Sequence, residues 1–353
     1  MTTTTQRHAR APLSRTARPH HAIYAQEIFG PAPLRSRVRR ALARFAMQDC
    51  LVGAYLTVLL ACVILGGGPR RSTAIAYVLA DAAVFFACMV IARSQRKSWR
   101  LAADILYRVG LIGAVLGSFL QLQHILPTAS ERIVDAAIYR VDLAVFGFEP
   151  AVAFDHLVTP ALTEWFAFFY YSYFFILCAY LFPMGAFERR IRILTELSVG
   201  LLLVVCVGHC LYLVVPGRGP YAYLAPHFQN QLSGGFWWPL VRDAVASVDG
   251  ASRTDIFPSL HTACPTFLTL FSFRNRAHRP YRYIWPVTAF FTSQIILATM
   301  YLRWHYLLDV VAGVTLAVVA FEVSQLIVPA EVRARKELGV GPVWRPLFGG
   351  ARP

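Results

Sequence analysis

The chain has 353 residues, 57% of them hydrophobic and only 15% charged, with a formal net charge of +15. A soluble globular chain carries nearer ~25% charged residues, so a one- or two-domain soluble protein is excluded. The positive charge is almost all arginine, the lysines being Lys97 and Lys336 alone; in so apolar a chain it implies anionic lipid as partner, not nucleic acid.

Residues 1–45 are polar, Pro-containing and Arg-rich. No apolar run opens the chain, so no cleavable signal peptide is expected; the segment reads as a disordered cytoplasmic tail touching anionic lipid. A bilayer-spanning helix needs ~20 apolar residues. Eight segments are candidates, near 48–67, 73–92, 106–125, 164–184, 196–215, 259–273, 284–302 and 306–328, the sixth of them short. The fold class expected is therefore all-α, a polytopic transmembrane helical bundle. Residues 329–353 are expected to form a cytoplasmic C-terminal tail.

Orientation follows from the positive-inside rule. With the N-terminus in the cytoplasm, the clusters Arg93–Arg108, Arg189–Arg192, Arg274–Arg282 and the tail from Arg333 all fall inside. The remaining loops, with few arginines, fall outside. This places the protein in the cell (inner) membrane with both termini cytoplasmic. Residues 131–147 put Ile133, Ala137 and Val141 on one helical face and Glu131, Asp135 and Asp142 on another, which predicts an interfacial amphipathic helix on the outer side. Residues 216–258 form a long outer loop, with Trp237 and Trp238 expected as interface anchors. Cys50, Cys62, Cys88, Cys178, Cys206, Cys210 and Cys264 form no CxxC pair and read as small buried hydrophobes. The aromatic run from Phe166 to Phe175 reads as packing, and His209 and Glu196 as packing or interface residues.

Two motifs carry chemistry, both on the outer side. The first is Phe257-Pro258-Ser259-Leu260-His261, and the second runs from Tyr301 through Arg303, His305 and Asp309. Each puts an ionisable group at the end of an apolar helix, where burial is expensive and function is the default reading. If helix starts near His305, His305 and Asp309 share a face; the carboxylate then fixes the imidazole tautomer and leaves the other nitrogen to attack. His261 supplies a second imidazole to protonate a leaving oxygen. Ser259 stands at a helix start that favours an anion. Arg303 and Arg218, the latter in Pro216-Gly217-Arg218-Gly219-Pro220, offer forked donors for phosphate. Two histidines, an aspartate and arginines imply phosphoryl transfer without a metal or other cofactor. The rival reading makes His261, His305 and Asp309 a metal-binding trio, against which the nearby arginines argue.

On these residues the chain resembles the type 2 phosphatidic acid phosphatase (PAP2) superfamily. The Phe146–Pro150 segment and the Pro-Ser-Leu-His form of the middle motif resemble its inositol phosphorylceramide synthase branch. The resemblance covers about residues 105–328, implying a PAP2-like six-helix catalytic core there, with residues 46–104 as two extra N-terminal helices. It implies that His305 forms a phosphohistidine, that Asp309 orients it, that His261 is the general acid and that Ser259 binds phosphate. The implied substrate is a phosphorylated lipid or phospholipid, with water or a hydroxyl as acceptor. Two features depart from the family pattern. The phosphatases carry an arginine six residues before the nucleophile, where this chain has Thr299, and the lysine usual in the first motif is missing. The alternative is a non-catalytic lipid transporter or scaffold that retains the fold.

A cysteine introduced at Arg242 should react with a membrane-impermeant maleimide on intact cells, and one at Arg189 only after permeabilisation. The reverse pattern would invert the topology.

Overall fold

The structure, a computed structural model, describes residues 45–68, 70–93, 99–130, 132–249 and 254–348; all but the last residue of the expected 1–45 tail lies outside them. Among the described residues all regular structure is helical. The first helices are α1 (Met47–Leu65), α2 (Arg71–Arg93), α3 (Arg100–Leu120) and the short α4 (Leu122–Ala129). Next come α5 (Asp135–Phe146), α6 (Pro150–Ala153), α7 (Pro160–Ala179) and α8 (Ile191–Val214). The long loop holds α9 (Pro220–Tyr223) and α10 (Trp237–Asp249), and α11 (Leu260–Arg274), α12 (Tyr281–Tyr301) and α13 (Leu307–Glu337) complete the bundle.

Seven of these helices are long and apolar enough to cross a membrane: α1, α2, α3, α7 with its continuation to Phe187, α8, α12 and α13. The remaining expected span, 259–273, is α11, with only 15 residues. Such a helix is about 22 Å long, short of the ~30 Å hydrocarbon core. It packs against α7, α8, α12 and α13, and Ala263, Cys264, Phe267, Leu268 and Phe271 are fully buried. Protein rather than lipid surrounds it, so irregular backbone is tolerated at its ends.

Helix boundaries follow local chemistry rather than hydropathy. α7 starts four residues ahead of its expected position because Thr159 Oγ1 accepts from Leu162 N at 3.3 Å and Pro160 occupies the first helical position. It then widens into a π-helical turn at Tyr180–Met184 around Pro183, which lacks a backbone donor. α13 continues past 328, where Arg335 Nε donates to Glu331 at 2.9 Å across one turn. The chain beyond it folds back, burying Trp344 edge-on against Tyr107 and beneath the Arg108 guanidinium.

Between lipid and helix there is little hydrophobic drive, so close packing and polar ties hold such a bundle together. One tie joins α1, α3 and α8: the Tyr55 hydroxyl is hydrogen-bonded to Ser118 Oγ at 2.8 Å and to His209 Nδ1 at 3.0 Å. A close approach occurs at Gly313 of α13, where an added Cβ would lie 2.5 Å from the Ser259 carbonyl oxygen. Only glycine lets α13 meet the start of α11 so closely.

Gly313→Ala should therefore cost about 1–3 kcal/mol, read as a lower Tm in detergent. Gly113→Ala, where a Cβ meets nothing within 4 Å, should cost nothing.

Candidate active site

His305 lies in the turn between α12 and α13. Thr299, at the position of the expected arginine, is fully buried, and its carbonyl accepts from Trp304 N at 2.9 Å and His305 N at 3.1 Å. Position 299 thus shapes the turn through its backbone, and a long cation there would have to enter the helix packing. Helix starts at Leu307, after His305 rather than at it. The histidine and Asp309 meet because Asp309, in the first turn of α13, reaches back over the helix start. Its Oδ2 accepts from Tyr306 N at 2.9 Å and stands 3.5 Å from His305 Nδ1. That separation is long for a hydrogen bond; such contacts shorten when substrate is bound. Asp309 Oδ1 has no partner among the described residues.

Burial pushes the His305 imidazole down to about 4, against the opposing effects of the Asp255 carboxylate and a hydrogen bond to the Ile256 backbone. The ring is therefore neutral at neutral pH, with a lone pair to offer. Asp255, in the loop just before the Phe257–His261 motif, is near enough for its charge to act on this ring.

His261 sits in the first turn of α11 behind Ser259. Ser259 Oγ accepts from Thr262 N at 3.3 Å, an N-cap, and Ser259 N donates to the Asp309 carbonyl at 3.0 Å. The two motifs are thus bonded backbone to backbone. The His261 ring lies between Tyr170, stacked at 4.2 Å, and Tyr173, tilted at 4.2 Å. Its Nε2 has no hydrogen-bond partner among the described residues. The ring centroids of His261 and His305 are 6.5 Å apart, close enough for one phosphate to touch both. The expected packing role of the aromatic run misses this clamp, although the three-residue spacing of Tyr170 and Tyr173 places them on one helical face. Trp238, expected as an interface anchor, is buried, 6.4 Å from the Trp304 ring; Trp237 packs on Phe168 at 5.1 Å.

The arginines differ from each other. Arg303 Nη2 donates to Asp155 Oδ1 at 2.7 Å and to the Asn230 carbonyl at 2.6 Å, and its guanidinium covers the Phe228 ring at 3.9 Å. Part of the expected phosphate clamp is thus already engaged by a carboxylate, because a buried cation needs an anion beside it. Its Nε lacks a partner among the described residues. Arg303 also has a φ of 67°, a left-handed conformation that costs a non-glycine residue of order 1–3 kcal/mol and that its Asp155 pair helps hold. The Arg218 side chain is exposed. Its loop is fixed by Asp135, which accepts from Arg218 N and Gly219 N at 2.8 Å each and from the Tyr306 hydroxyl at 3.0 Å. Gly219 has a φ of 82°, and a Cβ there would lie 2.6 Å from the Trp304 carbonyl, so the Arg218 loop runs against the residue preceding His305.

The expected amphipathic helix is α5, and its two faces separate as the sequence divides them, except that its acids meet protein rather than water. Ile133 and Val141 are exposed, while Asp135 and Asp142 are buried. The acids turn inward because backbone donors of the motif loops need acceptors: Asp142 takes Leu307 N and Leu308 N at 2.9 Å each. Asp155 likewise accepts from Gln229 N at 3.0 Å, and Glu164 from Trp237 N and Trp238 N at 2.9 and 3.0 Å. Glu131 lies outside the described residues. His261, His305 and Asp309 do not converge as a metal-binding trio; no such group of three forms among the described residues.

A family model described as the PAP2 superfamily matches residues 136–323, a stretch that contains Arg218, Ser259, His261, Arg303, His305 and Asp309 and omits α1 to α4. No curated protein and no solved structure matches the chain.

Asp155→Ala strands the Arg303 guanidinium without its anion and should destabilise the fold by about 3 kcal/mol, measured by thermal denaturation. An unchanged Tm would show that the pair is not holding the turn.

Proposed function

Because the chain belongs to the PAP2 superfamily, its match spanning residues 136–323, we propose that it is a membrane-embedded phosphatase or phosphotransferase acting on a phosphorylated lipid from the extracytoplasmic face. The observation that carries this reading is the arrangement of His305, 3.5 Å from Asp309, with His261 6.5 Å away between ring centroids. Asp309 holds Nδ1 of the neutral His305, and the other ring nitrogen, once it exchanges the Ile256 backbone for substrate, attacks phosphorus. The bond from phosphorus to the leaving oxygen breaks as His261 gives that oxygen a proton. A phosphohistidine remains. In the second half His261 takes the proton of an acceptor hydroxyl, that oxygen attacks phosphorus, and the bond to His305 breaks. The exposed Arg218, the remaining donors of Arg303 and Ser259 bind the phosphate oxygens. No metal or cofactor enters this scheme.

Water as acceptor gives hydrolysis, as in lipid phosphate phosphatases. A lipid or polyol hydroxyl gives headgroup transfer in the manner of inositol phosphorylceramide synthase. The burial of His305 and the aromatic clamp on His261 support the second acceptor, since both limit bulk water at the reacting atoms. Anionic lipid is the proposed partner of the arginine-rich cytoplasmic face.

Purified protein given labelled lipid phosphates and phospholipids should yield inorganic phosphate or a new phosphodiester, together with an acid-labile phosphoenzyme. His305→Ala should abolish the phosphoenzyme and lower turnover at least ~10³-fold while still inserting into membranes; full activity would sink the mechanism and favour a non-catalytic transporter or scaffold. As pH falls through about 4 the wild-type His305 takes a proton and loses its lone pair. The acid limb of kcat/KM belongs there rather than near the ordinary histidine value of ~6.5.

A further inference from the structure

Behind the first turn of α13 lies a second carboxyl pair that the chemistry above does not use. Asp142 is fully buried and spans the two leading donors of α13, with Oδ2 on Leu307 N and Oδ1 on Leu308 N. It therefore occupies the positive end of that helix and braces the turn between His305 and Asp309. The side chain of Glu149, from the Phe146–Pro150 segment, is hydrogen-bonded to Asp142. Glu149 is itself buried; its Oε1 accepts from Ala151 N at 3.1 Å, and no donor reaches Oε2 among the described residues. The charged or titratable groups whose fields reach the pair are Asp309 and Tyr306, at the start of α13. No arginine, lysine or histidine pairs with either carboxyl among the described residues. Two buried carboxyls in contact, with no cation beside them, cannot both be ionised.

Building on the reading of His305 as nucleophile, we propose that Glu149 holds a proton against Asp142 and that this acid–carboxylate pair is a positioning device for the nucleophile. Asp142 already accepts from two backbone donors and so keeps the charge. Glu149 keeps the proton and donates it to Asp142. The braced helix start then holds Asp309 against His305. Glu149 touches neither substrate nor reacting atoms and acts through Asp142 and α13. Burial, the Asp142 contact and the Asp309 charge push the Glu149 carboxyl up to about 9, against the Ala151 N–H. Because this value is raised above the ordinary ~4.3, the folded state binds the extra proton. The stabilisation is complete at acid pH and is lost as pH rises through about 9, when two anions repel and Asp142 is driven from the helix start.

The test compares wild type with Glu149→Gln, whose amide donates to Asp142 at every pH, and Glu149→Ala, which cannot donate. At pH 7 Glu149→Ala should lower kcat about 10–100-fold, the loss typical of removing an orienting partner, with KM little changed, and Glu149→Gln should restore most of it. The alkaline limb of kcat near pH 9 should be present in wild type and absent in Glu149→Gln. A glutamine variant as impaired as the alanine variant, or one that keeps the wild-type alkaline limb, overturns the proposal. Tm against pH gives a second arm that needs no substrate. The wild-type Tm should fall, relative to that of Glu149→Gln, as pH rises from about 4 to about 9 and run parallel to it above; parallel curves throughout overturn the shared proton. Absence of turnover in wild type would overturn the nucleophile reading and the positioning claim with it, leaving the Tm arm to decide the proton alone.

Discussion

Backbone donors at the mouth of a membrane bundle have no reliable access to water, and each one left unpaired costs several kcal/mol. The loops that carry the two histidine motifs are irregular and full of such donors. Here carboxylates, all but Glu164 of them buried, satisfy them. Asp135 takes the Arg218–Gly219 backbone, Asp142 and Asp309 take the start of α13, Asp155 takes the 229–230 backbone and Glu164 takes the start of α10. Hydrogen bonds to charged acceptors are worth ~1.5–3 kcal/mol each, enough to fix loops that contain little regular structure. The placement of His305 and His261 is a consequence of that network.

The same acids explain why arginine plays two roles at this face. Arg303 is drawn into the network by Asp155 and closes the turn before His305. Among the described residues Arg218 is held by its backbone, and its side chain is exposed. Burial thus separates a guanidinium that is part of the loop network from one that stays exposed. Thr299 belongs to the same arrangement: its carbonyl accepts two backbone donors of the turn, so Arg303 rather than residue 299 supplies the positive charge there.

The spanning helices were legible in the sequence because apolar length is a local property. So was the pairing of His305 with Asp309, four residues apart, although the helix begins after the histidine and the aspartate folds back to it. What could not be read was non-local. Asp155 lies 148 residues before Arg303 in the chain, and no period or spacing connects them. The clamp on His261 is built from Tyr170 and Tyr173 on another helix. The inward turn of Asp135 and Asp142 was equally hidden, since an acidic helix face reads as water-facing until the distant backbone donors it meets are known. Hydropathy also understated α7 and α13, whose ends are set by a cap and an ion pair.

α5 carries Asp135 and Asp142, whose partners arrive up to 171 residues later in synthesis. Until α13 is made, Asp142 lacks its Leu307 and Leu308 donors and Asp135 lacks the Tyr306 hydroxyl. Contacts of such sequence separation are slow to close. The order of assembly is therefore imposed by the chain itself: the spans accumulate first, and the face that carries the two histidine motifs sets last, when the final helix reaches the acids that have been waiting for it.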